Sequence, residues 1–177
     1  MIQLNLYNNK VSNIDSLSKI KMPKLQILHL GFNKITNIDV LANVDFPELI
    51  SLNLNRNEIT SIDALEKVNF QKLESLDFFD NKISHINILS KASLPSLKTL
   101  NFWINNIQNI NLIYKANFPK LEKLNLSNNN ISDISSIIYF KFPSLKELNL
   151  QYNKINQEEG KNRNILNEMK KKVQIII

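Results

Sequence analysis

The chain has 177 residues, a formal net charge of +6 and 43% hydrophobic residues, which suits one ordinary soluble domain with a sizeable core. It has no Cys, which excludes a disulfide framework, a thiolate metal site and a cysteine nucleophile, and predicts a reducing compartment, cytoplasmic or nuclear. With two Gly no glycine loop can cradle a phosphate, the opening MIQLNLYNNK has no signal-peptide pattern, and no apolar run approaches a membrane span.

Taken in chain order, the first unit already holds every element that later recurs. Leu4 and Leu6 lie at strand spacing and point to one face. Asn9 follows, then Val11, Ile14 and Leu17, then Met22-Pro23. The asparagine returns at Asn33, Asn57, Asn81, Asn105, Asn129 and Asn153, always 24 residues on. The two strand leucines return with it, as at Leu28 and Leu30, Leu52 and Leu54, Leu76 and Phe78, or Leu100 and Phe102. Each L-x-L predicts one short strand, and stacked units predict a parallel sheet. Each asparagine is expected to turn inward and satisfy backbone groups left open by the turn.

The return limb of each unit carries Asp15, Asp39, Asp63, Asn87, Asn111 or Ser135, all residue types that cap helices. One or two turns of helix, partly 3₁₀, are predicted after each. Proline ends the limb at Pro23, Pro47, Pro95, Pro119 and Pro143, with Gln71 the exception. The residue before it is Met22, Phe46, Phe70, Leu94, Phe118 or Phe142, predicted as a second core layer. The domain division expected is seven repeats over 1–155, then a C-terminal cap over 156–177. In that cap, 158–172 reads as an amphipathic helix with Ile165, Leu166, Met169 and Val173 on one face, and 173–177 as a final strand. Met1 occupies the first leucine slot, so the array is expected to lack an N-terminal cap and to be able to associate through that edge.

The unit LxxLxLxxNxIxxIxxLxxxxFPx resembles the leucine-rich-repeat family, whose signature is L-x-x-L-x-L-x-x-N-x-L. Its tail IxxIxxL is similar to the short cytosolic class of phosphatase-regulatory, dynein-associated and tubulin-cofactor proteins, although the 24-residue period is two residues longer. The resemblance implies an α/β solenoid: a right-handed horseshoe with a concave parallel sheet and short helices on the convex side. It also implies a protein partner, such as a phosphatase catalytic subunit, a cytoskeletal or ciliary protein or a ubiquitin-ligase substrate.

Functional information must sit in the columns that the repeat leaves free. Most of these are polar, and the exceptions cluster. Phe79 and Trp103 share one column one repeat apart; Phe32 and Ile104 lie in the next; Asp77, Asp80 and Arg56 surround them. With Asn53, Asn101 and Tyr152 they make up the expected partner-binding surface, since exposed aromatics with a polar rim are the usual makeup of a binding hot spot. No catalytic residue, metal site or cofactor is expected. His29 and His85 occupy different columns with no second ligand in register, and no serine lies in a nucleophile elbow. Lys170, Lys171 and Lys172 suit the C-terminal end of a helix, and the remaining lysines form no one-sided stripe, so no nucleic-acid partner is expected, nor a membrane. The leading function is a non-enzymatic protein-interaction module. The alternatives are the recognition arm of a larger enzyme or effector, and a self-associating structural protein.

Overall fold

The computed structural model describes residues 2–177; the expectation resting on Met1 lies outside them. Eight strands form one parallel sheet in strict sequence order: β1 (Gln3–Asn5), β2 (Ile27–His29), β3 (Ser51–Asn53), β4 (Ser75–Asp77), β5 (Thr99–Asn101), β6 (Lys123–Asn125), β7 (Glu147–Asn149) and β8 (Gln174–Ile176). Leu4 pairs with Leu28, Leu28 with Leu52, and so on to Leu148. Each strand is only three residues long because the chain must leave the sheet to complete its turn of the solenoid.

The asparagine column does what the turn requires. In the fourth unit, Asn81 Oδ1 accepts the Ile59 N–H at 3.0 Å, while its Nδ2 donates to Leu54 O at 3.0 Å and Phe78 O at 3.1 Å. Asn33, Asn57, Asn105 and Asn129 repeat the arrangement, each tying one repeat to the one before it. A carboxamide can donate and accept at once, and an apolar residue could do neither.

The return limbs are 3₁₀ helices throughout, for example Asp15–Lys19, Asp39–Asn43, Asp63–Glu66 and Ser135–Tyr139. The expected N-caps require correction. Asp15, Asp39, Asp63, Asn87 and Ser135 open the helices themselves, and none of these helices has a side-chain cap bond at its N-cap residue. The side-chain acceptors lie two residues earlier: Asn13, Asn37 and Asp133 accept the N–H groups of Asp15, Asp39 and Ser135 at 2.6–2.8 Å. Asn111 lies ahead of its helix, Ile113–Lys115, and its N–H is held by Asn109 at 2.7 Å. A short acceptor two residues back closes a local turn, which a 3₁₀ helix of three to five residues needs more than a cap on a long ladder.

Proline acts after the helix rather than ending it. Pro23 stands second in a turn in which the Leu25 N–H donates to Met22 O at 3.0 Å, the position that proline's fixed φ favours. The residue before it is buried in every unit: Met22, Phe46, Phe70, Leu94, Phe118 and Phe142 line the core behind the sheet. Where phenylalanine replaces leucine on the strands, Phe78 and Phe102 stack at 5.4 Å, nearly parallel.

Helix α1 (Gly160–Lys170) replaces a 3₁₀ limb at the C-terminal end, burying Ile165, Leu166 and Met169. The chain then returns as β8, with Ile175 paired to Leu148 in the leucine slot. Charge reinforces the stacking. Glu48–Lys72, Glu58–Lys82, Glu74–Lys98 and Glu122–Lys146 are ion pairs of 2.6–2.8 Å between residues 24 apart, hence between adjacent repeats.

Candidate functional site

At the end of each strand the chain bends sharply to send the asparagine inward, and one residue per repeat absorbs the bend. Asn8, Phe32, Arg56, Asp80, Ile104, Asn128 and Tyr152 all have φ between 49° and 57°, in the left-handed region. Asparagine tolerates that conformation; a β-branched side chain there is a true outlier. Ile104 nevertheless stands in it at φ 53°, held between the Ile104 N–H bond to Ser127 O at 3.2 Å and the Asn81 N–H bond to Ile104 O at 3.1 Å. The repeat dictates the backbone of this column and leaves its side chains free. They project beside the last residue of the sheet face.

Two columns thus meet at the strand exits, and their side chains interleave. Phe79 and Trp103 stack with ring centroids 4.6 Å apart and planes 21° apart. The Arg56 guanidinium lies between two rings, 5.5 Å from the Phe79 centroid and 5.4 Å from that of Phe32. Tyr7 closes the row at 6.1 Å from Phe32. The resulting stripe, Tyr7–Phe32–Arg56–Phe79–Trp103, crosses five adjacent repeats. Tyr7, Phe32 and Trp103 are 48%, 43% and 40% exposed, so the stripe is firmly packed within itself yet open to solvent.

The polar residues around it divide by role. Asp77 accepts the Phe79 N–H at 3.0 Å and the Asn101 and Asn55 amides at 2.9 and 3.3 Å. Asn101 accepts the Trp103 N–H at 3.0 Å and Asn53 accepts the Asn55 N–H at 3.0 Å. Asp77 and Asn101 thus set the direction in which Phe79 and Trp103 leave their strands, and so position the rings; Asn53 does the same for Asn55, which carries no ring. Asp80 faces Arg56 at 3.7 Å, a loose pair with both side chains about half exposed. Between Phe32, Arg56 and Asp80 lies a shallow depression floored by Asn33 and Asn57.

Of the ten expected contact residues, Phe32, Arg56, Phe79 and Trp103 form the stripe, Asp77, Asp80 and Asn101 bond or pair with its members, and Ile104 follows Trp103 in the chain, while Asn53 bonds Asn55. Tyr152 stands apart: it shares a column with Ile104 two repeats away, is 77% exposed and stacks on no ring among the described residues. Tyr7 is absent from the expected set although it shares the Phe79 and Trp103 column. Gly31 and Asn55 interrupt that column, and continuity passes through Phe32 and Arg56 in the next one, a sideways step that a column-by-column reading does not follow. Among the described residues no group of three or more His, Cys, Asp or Glu could hold a metal ion, and no helix is long and apolar enough to cross a membrane.

Comparison with known proteins agrees with this architecture. The family profile "Leucine rich repeat" matches residues 23–83 and 95–155, and "Leucine Rich repeats (2 copies)" matches 1–43. No curated protein matches the chain. Among solved structures, an internalin of Listeria monocytogenes is 30% identical with a TM-score of 0.72, covering 88% of this chain; the match spans 43% of the internalin chain. A second internalin of that organism, internalin C2, is 24% identical with a TM-score of 0.64, covering 99% of this chain and 80% of its own. The plant peptide hormone receptor RGFR1, solved in complex with RGF2, is 23% identical with a TM-score of 0.64, covering 85% of this chain and 24% of its own. The last two likenesses are of fold alone. The repeat, the stacked sheet and the matched profiles agree: the chain belongs to the leucine-rich-repeat family.

Proposed function

We propose that the chain is a non-catalytic interaction module that holds a partner protein on its sheet face, with the Tyr7–Trp103 stripe at the centre of the contact. Leucine-rich-repeat proteins are generally protein-interaction modules. The observation that carries the reading is the Arg56 guanidinium seated between Phe32 and Phe79, next to the Phe79–Trp103 stack. No structural column requires any of these four side chains, and Trp, Tyr and Arg are the residues most enriched at energetic centres of interfaces. Already ordered by stacking, they lose little side-chain freedom when a partner docks.

Strand spacing sets the scale of the contact. Four steps of about 4.8 Å give a stripe of about 19 Å, the reach of about six extended residues. The partner segment lies across the strands, with Asp77, Asp80, Asn53 and Asn101 at its margins and Ile104 extending the apolar end. The test is affinity capture with the wild-type chain against Phe79→Ala/Trp103→Ala. At least one protein retained by the wild type is lost from the double variant; equal recovery of every retained protein by both refutes the assignment.

A further inference from the structure

A second surface lies away from the sheet, where the last 3₁₀ helix, the turn after it and the end of α1 enclose an open groove of about 490 Å³. Phe142 and Met169 form its floor and are buried; Phe140 and Val173 form its walls and are half-buried. At its lip stands Ile138, 40% exposed, beside the exposed Tyr139. Core formation explains the floor, and leaves the exposed isoleucine at the rim unexplained; Tyr139 turns to the neighbouring depression, against Tyr114 at 5.9 Å.

The charges at the rim are all of one sign. Lys141 and Lys172 both line the groove, one on the turn and one after α1, and no carboxylate lines it among the described residues. Lys141 also borders the adjoining depression, whose other charge is Lys115. The nearby carboxylate of the last turn, Glu168, is already bonded by Lys171 at 2.7 Å. A helix C-terminus favours nearby cations, which accounts for a lysine after α1. It does not account for Lys141, which belongs to a different element and faces the same opening.

We infer that this groove is a second docking site, and that its occupant is a short apolar segment of a partner protein flanked by Asp or Glu. Apolar side chains fill a cleft whose size falls within the roughly 300–1,000 Å³ of ordinary ligand sites, and the flanking carboxylates reach Lys141 and Lys172. The groove is open to solvent rather than enclosed, which suits a peptide whose backbone stays in water better than an acyl chain that must be sheathed on all sides. Its lining shares no residue with the aromatic stripe, so it works independently of that stripe.

The test uses the full chain and three fluorescein-labelled nonapeptides with a common Leu-Phe-Leu centre and flanks of Asp/Glu, Ser or Lys. Anisotropy shows the acidic peptide binding most tightly and weakening as salt is raised, since exposed charge attraction is screened. Backbone amide shifts fall on residues 138–145 and 169–173. Lys141→Glu/Lys172→Glu weakens the acidic peptide at least about tenfold; Ile138→Ser, which leaves both charges in place, weakens all three peptides. Phe79→Ala/Trp103→Ala changes nothing. Equal affinity for the acidic and basic peptides, no binding of the acidic peptide at millimolar concentration, or amide shifts on the strands instead would each overturn the inference. So would capture by phosphatidylserine vesicles of a chain that ignores the peptides.

Discussion

Replacing Asn81 by Ala removes one side chain with four hydrogen bonds, and the structure says which of them matter. The three carbonyls that accept from Nδ2 all keep a second donor: Leu54 O has Asn57, Phe78 O has Asn105, each at 3.0 Å, and Phe79 O has the Arg56 N–H at 2.7 Å. The Ile59 N–H has no acceptor besides Asn81 Oδ1 among the described residues, and Ile59 is fully buried. An orphaned buried N–H costs about 1–3 kcal/mol, and the space left by the carboxamide adds to it, so Asn81→Ala destabilises by about 2–3 kcal/mol. Asn9 supplies the control. It is exposed, donates only to Leu6 O and Tyr7 O at 3.1 Å, and its Oδ1 accepts no hydrogen bond among the described residues. Asn9→Ala therefore costs under about 0.5 kcal/mol. Urea unfolding followed by circular dichroism compares the two, with an unchanged m-value required for the comparison to stand. If Asn81→Ala comes within about 0.5 kcal/mol of Asn9→Ala, the claim that this column holds the turns by hydrogen bonding is wrong.

Further expectations concern the strand exits and the surface charges. Phe79→Ala/Trp103→Ala loses a ring stack of about 0.5–1.5 kcal/mol together with the partial burial of both rings, about 1.5–3 kcal/mol more, so its melting temperature falls by no more than about 18 °C; a larger fall would make the pair structural. Asn128→Val puts a β-branched residue at φ 51°, costing about 1–2 kcal/mol, whereas Ile104→Asn relieves the same strain at φ 53° and costs nothing net despite losing a half-buried side chain. Similar unfolding midpoints for the two variants would show that the left-handed conformation is not strained. Hydrogen bonds from Lys82 and Lys146 hold the carboxyls of Glu58 and Glu122 below their ordinary value of 4.5. A lowered native value means stabilisation complete above pH 4.5 and lost as pH falls through the native value. The urea midpoint of the wild type accordingly drops on acidification, and Lys82→Met/Lys146→Met drops less steeply; parallel acid limbs would contradict the assignment.

The repeat was legible because its chemistry is the same in every unit: a leucine needed on the sheet's inner face and an asparagine needed at the turn recur in identical columns. The left-handed column was not legible. Gly or a run of Asn would have announced it, yet it holds Phe32, Arg56, Asp80, Ile104 and Tyr152, whose conformation is imposed by neighbouring turns rather than by their own preference. The short acceptors Asn13, Asn37 and Asp133 were missed for a related reason. An aspartate at the first position of a 3₁₀ helix looks like a cap, and only the geometry shows the bond coming from two residues earlier. The core of the candidate site, Phe79 and Trp103, could be read as a gap in the polar pattern. Its extension to Tyr7 could not, because it runs diagonally through Arg56.

The ion pairs between repeats bear on how the chain finds its register. To the leucine and asparagine columns all repeats are interchangeable, so a unit that skipped its neighbour and stacked on the next would satisfy the core almost as well. The charges tell the neighbours apart. Glu74 meets Lys98 and Glu122 meets Lys146; a slip of one repeat that set Glu74 against Glu122, or Lys98 against Lys146, would oppose like charges. Energetically slight in the finished fold, these surface pairs act as addresses that tell each turn of the coil which turn to follow.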